Sequence, residues 1–152
     1  MRFSFLKKKT FFSDAEKQRV VDAIRKAEQR TSGEIRVFVE SKNSYVDPID
    51  RAAEVFFNLK MDKTDERNAV LLYIAINDKE LALFGDEGIY EATGAAYWNN
   101  AVKMMLKEIT ADDIIGGMVH CISRIGETLH EKFPYNKLDD KNELPDDIVF
   151  GH

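Results

Sequence analysis

An uninterrupted apolar run is the feature that most constrains the fold of this 152-residue chain. Residues 69–76 read AVLLYIAI and lie between two polar stretches. A run of this length without polar alternation is typical of a strand that is covered on both faces. It is far too short to cross a bilayer, because a membrane helix needs about 20 apolar residues. We therefore expect an α/β domain whose sheet lies between helices.

The segments around this run predict the other elements. Residues 34–40 alternate in strand period and predict a half-buried or edge strand, whereas 80–84 return after a polar turn as a hairpin partner. Apolar residues recur at helical spacing after a capping box at Ser13 to Glu16 and after the N-cap and N1 pair Asp47 and Pro48. They also recur at this spacing through most of the second half of the chain.

These elements give the order helix, strand, helix, strand, strand, helix, helix. A strand–helix–strand unit makes its two strands parallel, and the hairpin adds an antiparallel strand. The predicted fold is a small mixed sheet, a parallel pair plus an antiparallel hairpin strand, sandwiched between helices.

The chain divides into three parts by composition. Residues 13–134 carry the predicted elements and form one domain, since a chain of this length buries about 70% of its unfolded surface. Residues 1–12 are a basic and aromatic arm, which we expect to pack Phe3 or Phe5 on the domain or to make a weak, peripheral contact with an anionic membrane. Residues 135–152 are an acidic, extended tail.

Charge and cysteine content exclude several classes of protein. Acidic side chains outnumber basic ones by 27 to 22, which argues against a general nucleic-acid binder. The single cysteine, Cys121, cannot form an intramolecular disulfide, and no Cys and His spacing resembles a zinc site. The first residues do not follow the order of a secretory signal peptide, so we expect a soluble cytoplasmic protein.

Acidic residues gather at one end of the predicted sheet. The topology brings the start of the first strand, the 62–68 connection and the 85–88 turn together, and carboxylate and amide oxygens are the ligands that Ca²⁺ and Mg²⁺ prefer. The alternative is a solvated acidic loop that binds nothing. The candidate metal ligands are Glu34, Asp62, Asp65, Asn68, Asp86 and Glu87, with Asp65 or Glu66 as a candidate general base.

The opposite end of the sheet is a competing location. Open α/β sheets usually bind ligands at the carboxyl ends of their parallel strands. That rule favours Ser41, Asn43, Asp47 and Asp78, but the density of acids favours the first end.

Four short motifs resemble those of the TPM domain family. They are TSGEIRV at 31–37, ERNAVLL at 66–72, GDEGI at 85–89 and NELPD at 142–146. The resemblance implies an α/β sandwich, divalent-cation binding at an acidic groove and the acid phosphatase activity attributed to a plant thylakoid-lumen relative. Other relatives act in photosystem repair or as a receptor-associated subunit. Matched motif by motif, the resemblance assigns site roles to Glu34, Asn68 and Asp86.

Two functions follow. In the first, the chain is an interaction or regulatory module for an unidentified protein partner, with Ca²⁺ or Mg²⁺ bound weakly at the acidic loops. In the alternative, the chain is a metal-dependent acid phosphatase that hydrolyses phosphate monoesters. The residues favour the first, because no phosphoryl-acceptor motif is present and only Arg36 and Arg67 could approach a phosphate at this end.

Overall fold

The computed structural model describes residues 12–43, 47–110, 113–135 and 148–151, with the backbone alone at 109 and 110. These ranges contain helices and strands in the predicted order, except that three helices follow the hairpin where two were predicted, and one further strand comes after them. The helices are α1 (Asp14–Glu28), α2 (Pro48–Asn58), α3 (Glu87–Thr93), α4 (Ala95–Thr110) and α5 (Ile114–Lys132), and the strands are β1 (Glu34–Glu40), β2 (Ala69–Ala75), β3 (Glu80–Gly85) and β4 (Ile148–Phe150).

The four strands form one mixed sheet in the order β3-β2-β1-β4. β1 is parallel to both β2 and β4, whereas β2 and β3 form an antiparallel hairpin. The predicted parallel pair and antiparallel hairpin strand are therefore confirmed. β4 was not predicted, and it lies in the segment 135–152 that was expected to be a tail.

β2 lies inside the sheet and is buried along its whole length. Val70, Leu72 and Ile74 face a core shared with α1, α4 and α5, while the alternate residues face a second core shared with α2. Removing an aliphatic side chain of this size from water contributes about 1.5–3 kcal/mol, so β2 is a main source of stability. The expectation of helices on both faces is confirmed.

The expectation that β1 is a half-buried or edge strand is wrong. β1 pairs on one side with β2 and on the other with β4, and Phe38 and Glu40 on its second face are buried. Strand alternation failed as a guide because an aromatic and a charged residue on that face are covered by α2 and by the short fourth strand.

The predicted starts of two helices are confirmed. Ser13 and Glu16 form the capping box that opens α1, and Asp47 caps α2 with Pro48 in the first turn. Gly94 separates α3 from α4 with a φ of 86°, in the left-handed region that favours glycine.

The expected contacts of Phe3, Phe5 and most of the acidic tail lie outside the described residues. Phe12, the first residue described, packs its ring 6.5 Å from that of Phe150 in β4. None of the helices in the described ranges combines the length and apolar character that crossing a membrane requires.

Cys121 on α5 generates a test of this packing. Burial raises the pKa of its thiol to about 12, so almost no thiolate forms at pH 8. We expect iodoacetamide to label the folded chain more than about a hundredfold more slowly than the urea-unfolded chain. An exposed cysteine, Asn100→Cys in a Cys121→Ala background, is the control, and equally fast labelling of folded Cys121 would contradict the packing.

Candidate functional site

Three segments meet at the end of the sheet where β1 and β2 begin, and we call this end the acidic rim. Glu34, the first residue of β1, is in register with Ala69 of β2. On the other side of Ala69, the backbone N–H of Asp86 donates to the Ala69 carbonyl at 2.9 Å. With strands about 4.8 Å apart, the Glu34 and Asp86 backbones lie about 10 Å apart. The structure therefore places Glu34 and Asp86, with Asn68 next to Ala69, at one end.

The guanidinium of Arg67 lies among the carboxylates of the acidic rim. Its Nε donates to Asp86 Oδ2 at 2.6 Å and its Nη2 to Asp86 Oδ1 at 2.8 Å. Its Nη1 lies 2.8 Å from Oε1 of Glu87. A paired interaction between a planar guanidinium and a carboxylate is among the stronger hydrogen-bonded contacts in proteins. A single protein cation thus already pairs with both carboxylates that follow β3.

Electrostatics and backbone geometry both hold Arg67 in place. The hydrogen bonds to Asp86 raise the pKa of the guanidinium, and the charges of Asp86, Glu87 and Asp62 raise it further. Its backbone has a φ of 52°, which is uncommon for a residue other than glycine, and its carbonyl accepts from the Gly88 N–H at 2.9 Å. A Cβ at Gly88 would lie 2.3 Å from the Glu66 carbonyl oxygen, so glycine permits this close approach.

A second polar group on the acidic rim centres on Ser32. Its hydroxyl donates to Glu66 Oε1 at 2.7 Å and accepts from Asn68 Nδ2 at 3.2 Å. Asp65 is exposed, and Asp62 is partly exposed with Lys63 Nζ at 3.6 Å. The predicted ligands thus share one end of the sheet, but Asn68 and Asp86 belong to separate hydrogen-bonded groups.

The oxygen atoms of the acidic rim are of the type that a hard cation prefers, but those of Asp86 already accept hydrogen bonds. Both carboxylate oxygens of Asp86 accept from Arg67, and Oδ1 also accepts from the Glu87 N–H that opens α3. Among the described residues, no group of three or more His, Cys, Asp or Glu side chains is arranged to hold a metal ion. These residues therefore do not form a ready-made cation cage.

A buried ionic cluster at the opposite end of the sheet was not predicted. Glu40, the last residue of β1, accepts from Arg51 Nε at 2.9 Å and Nη2 at 3.0 Å, and from the hydroxyl of Tyr73. Arg51 also pairs with Glu54. The Arg51 guanidinium lies 5.7 Å from the centre of the Phe38 ring. Burial raises the pKa of Tyr73, as does its bond to Glu40, so its hydroxyl stays a donor.

The residues that the carboxyl-end rule favours lie near this cluster. Asn43 donates its backbone N–H to Asp78 Oδ2 at 2.8 Å and its side-chain amide to Glu80 Oε1 at 2.9 Å. Asp47 caps α2 instead. The sequence signal for this cluster was Glu40 itself, a charged residue on the same strand face as Phe38. The same pattern is equally typical of the exposed side of an edge strand.

The comparisons with known proteins agree with this fold. The TPM domain family model matches residues 6–128. The chain belongs to the TPM domain family. It is 40% identical to the BA42 protein from the psychrophilic bacterium Bizionia argentinensis, whose NMR structure it matches with a TM-score of 0.85, covering 93% of this chain and 96% of that one.

A second structure shares the fold alone. The N-terminal domain of the cg2496 protein from Corynebacterium glutamicum is 15% identical, with a TM-score of 0.58 over 78% of this chain and 74% of that one. The search of curated proteins gave no match.

The Glu40 cluster makes a prediction about stability. Tyr73→Phe removes the hydroxyl that donates to a buried carboxylate, and we expect it to lower the free energy of unfolding by about 1–3 kcal/mol in urea denaturation. Tyr90→Phe, at a ring that is 43% exposed, is the matched control and should change it by less than about 0.5 kcal/mol. Equal effects would mean that the Tyr73 hydroxyl contributes nothing.

The pKa shift of Tyr73 adds a dependence on pH. Its pKa is raised in the folded chain, so the unfolded chain ionises first as the pH rises above about 10. The unfolded state then binds fewer protons, and the stability of the parent falls with pH. We expect a shallower fall in Tyr73→Phe, measured from pH 9 to about 11.

Proposed function

We propose that this TPM domain acts as an interaction or regulatory module, and that its acidic rim binds Ca²⁺ or Mg²⁺ weakly. The observation that carries this proposal is the pairing of Arg67 with both Asp86 and Glu87. It bears on the choice between a module that binds and an enzyme that hydrolyses phosphate esters.

A phosphatase needs cationic groups that stabilise the charge of the transferring phosphoryl group. Arg67 donates to carboxylates through Nε, Nη1 and Nη2, so its guanidinium is engaged on both of its hydrogen-bonding sides. Asp65, Glu66 and Glu87 are exposed around it and repel an anionic ester. This charge distribution favours a cation or a basic partner over a phosphate.

Cation binding at this rim requires competition with a protein cation. A divalent ion that uses Asp86 and Glu87 must displace the Arg67 guanidinium, or bind through water beside it. Mg²⁺ commonly keeps several waters, and Ca²⁺ tolerates irregular oxygen sites, so both remain compatible with a weak, partly hydrated site. Of the other predicted ligands, Glu34 and Asn68 are buried at the same end of the sheet.

Arg67→Gln tests the competition directly. Removing the guanidinium leaves the same carboxylates without a protein cation, and we expect Ca²⁺ to bind at least about fivefold more tightly than in the parent. The measurement is a titration of backbone NMR shifts, with changes expected at 62–68 and 86–88. Lys42→Gln removes the same charge at the opposite end and should leave the affinity unchanged.

Two outcomes of this titration would overturn cation binding at the rim. One is saturable shifts confined to other parts of the chain. The other is the absence of any saturable shift up to about 10 mM Ca²⁺ or Mg²⁺ in both the parent and Arg67→Gln, since the weakest calcium modules bind near 1 mM.

The phosphatase alternative has its own test. We expect the parent to hydrolyse p-nitrophenyl phosphate no faster than buffer at pH 5 and 7, with or without Ca²⁺ or Mg²⁺. Turnover that is lost in both Asp86→Ala and Glu66→Gln, while the folded NMR spectrum is kept, would establish catalysis at the acidic rim instead. Asp65→Asn would then test the other candidate general base.

A further inference from the structure

The sheet ends at β3, and the outer edge of β3 carries unpaired backbone groups. The bond from the Asp86 N–H to the Ala69 carbonyl sets the phase of the β2–β3 ladder. Because antiparallel partners alternate, Phe84 and Ala82 bond to β2 while Leu81, Leu83 and Gly85 direct N–H and C=O outward. Within the described ranges, these outward groups have no backbone partner.

A groove of about 550 Å³ runs along this edge. Residues 81–85 form its floor, Ile49 at the start of α2 forms one wall, and Trp98 and Val102 of α4 form the other. Gly85 contributes to this shape, because a Cβ there would lie 2.6 Å from the Trp98 ring. A strand added to β3 would therefore enter between the two helix layers and bury side chains on both of its faces.

After Glu80 at its start, β3 lacks the sequence features by which proteins usually protect an exposed strand. Natural edges carry charges, prolines or bulges, or are kept very short. The sequence from Leu81 to Gly85 has no charge and no proline, and the ladder with β2 is continuous. The other edge strand, β4, has only three residues.

Charges at the ends of the groove indicate the chemistry of its occupant. Asp78 and Glu80 flank Lys79 where β3 begins, and Glu87 and Glu91 follow its end, where Arg67 pairs with Glu87. Among the lining residues Asp47 is the acid and Lys103 the base. Acids therefore predominate at both ends of an apolar floor, in a chain whose net charge is -5.

We propose that the β3 edge binds an extended segment of a partner protein as a fifth strand, and that this segment has apolar side chains between basic ends. Its backbone would pair with Leu81, Leu83 and Gly85. Its apolar side chains would pack against Ile49 on one side and Trp98 on the other. Strand addition of this kind takes affinity from main-chain hydrogen bonds and specificity from the flanking side chains.

The probe is the synthetic peptide KKIVIVKK, added to the full chain at low salt. We expect the amide exchange of Leu81, Leu83 and Gly85 to slow at least about tenfold, whereas Ala82 and Phe84, already bonded to β2, change little. The peptide EEIVIVEE, and KKIVIVKK with its central amides N-methylated, should each bind at least about tenfold more weakly.

Two variants distinguish strand pairing at the β3 edge from nonspecific binding of the peptide. Leu83→Pro removes an outward N–H without breaking a bond to β2, and Ile49→Lys adds a positive charge to the wall; each should weaken KKIVIVKK at least about tenfold. Met104→Lys is the matched control for Ile49→Lys, since both residues are about 40% exposed on helices and Met104 lies outside the groove. If Leu83→Pro does not fold, Ile49→Lys against Met104→Lys still decides.

Several results would overturn the proposal. They are equal binding of the N-methylated or the acidic peptide, protection without the alternating pattern, and equal effects of Ile49→Lys and Met104→Lys. A concentration-dependent dimer that protects Leu81, Leu83 and Gly85 without peptide would assign the edge to a second copy of this chain instead. The inference rests on the interaction role alone, so loss of cation binding at the acidic rim would leave it standing, and failure of the peptide would leave the cation site standing.

Discussion

The burial of β2 on both faces is the constraint on which the rest of the structure depends. Every side chain of this strand is buried and none is charged, so a helix layer covers each face. β1 and β3 then pair on either side of β2, one parallel and one antiparallel. That arrangement alone brings the start of β1, the loop before β2 and the end of β3 to one rim. The acidic rim therefore follows from the order and direction of the strands.

Each end of the sheet holds a buried carboxylate that is paired with a guanidinium. A carboxylate at the end of a strand is buried, and a guanidinium from the neighbouring element makes a paired contact with it: Arg67 with Asp86 at one end, and Arg51 with Glu40 at the other. The surroundings differ. Arg51 lies under an aromatic ring and beside a buried tyrosine, whereas exposed acids surround Arg67. The Glu40 cluster is enclosed by neighbouring side chains, whereas the acidic rim presents negative charge to solvent.

The acidic rim and the β3 edge are continuous, because Asp86 directly follows β3 and caps α3, the helix that carries Tyr90. A basic partner attracted by the rim would meet an unpaired strand edge within the same face of the molecule. Membership of the TPM domain family and the close match to the BA42 structure establish the fold on which this surface lies. The use of that surface is what the proposed experiments decide.

The sequence by itself determined what depends on short-range patterns. The unbroken run of β2, the capping box at Ser13, and the Asp47 and Pro48 pair each specify an element locally. The connectivity then predicts the mixed sheet and the placement of Glu34, Asn68 and Asp86 at one end of it. Tertiary structure alone decided the pairings between distant segments. β1 became internal because 148–150 return to it, and Arg67 reached Asp86 across 19 residues of chain. Such contacts depend on how whole layers pack, and periodicity within one segment carries no information about which remote side chain will lie opposite.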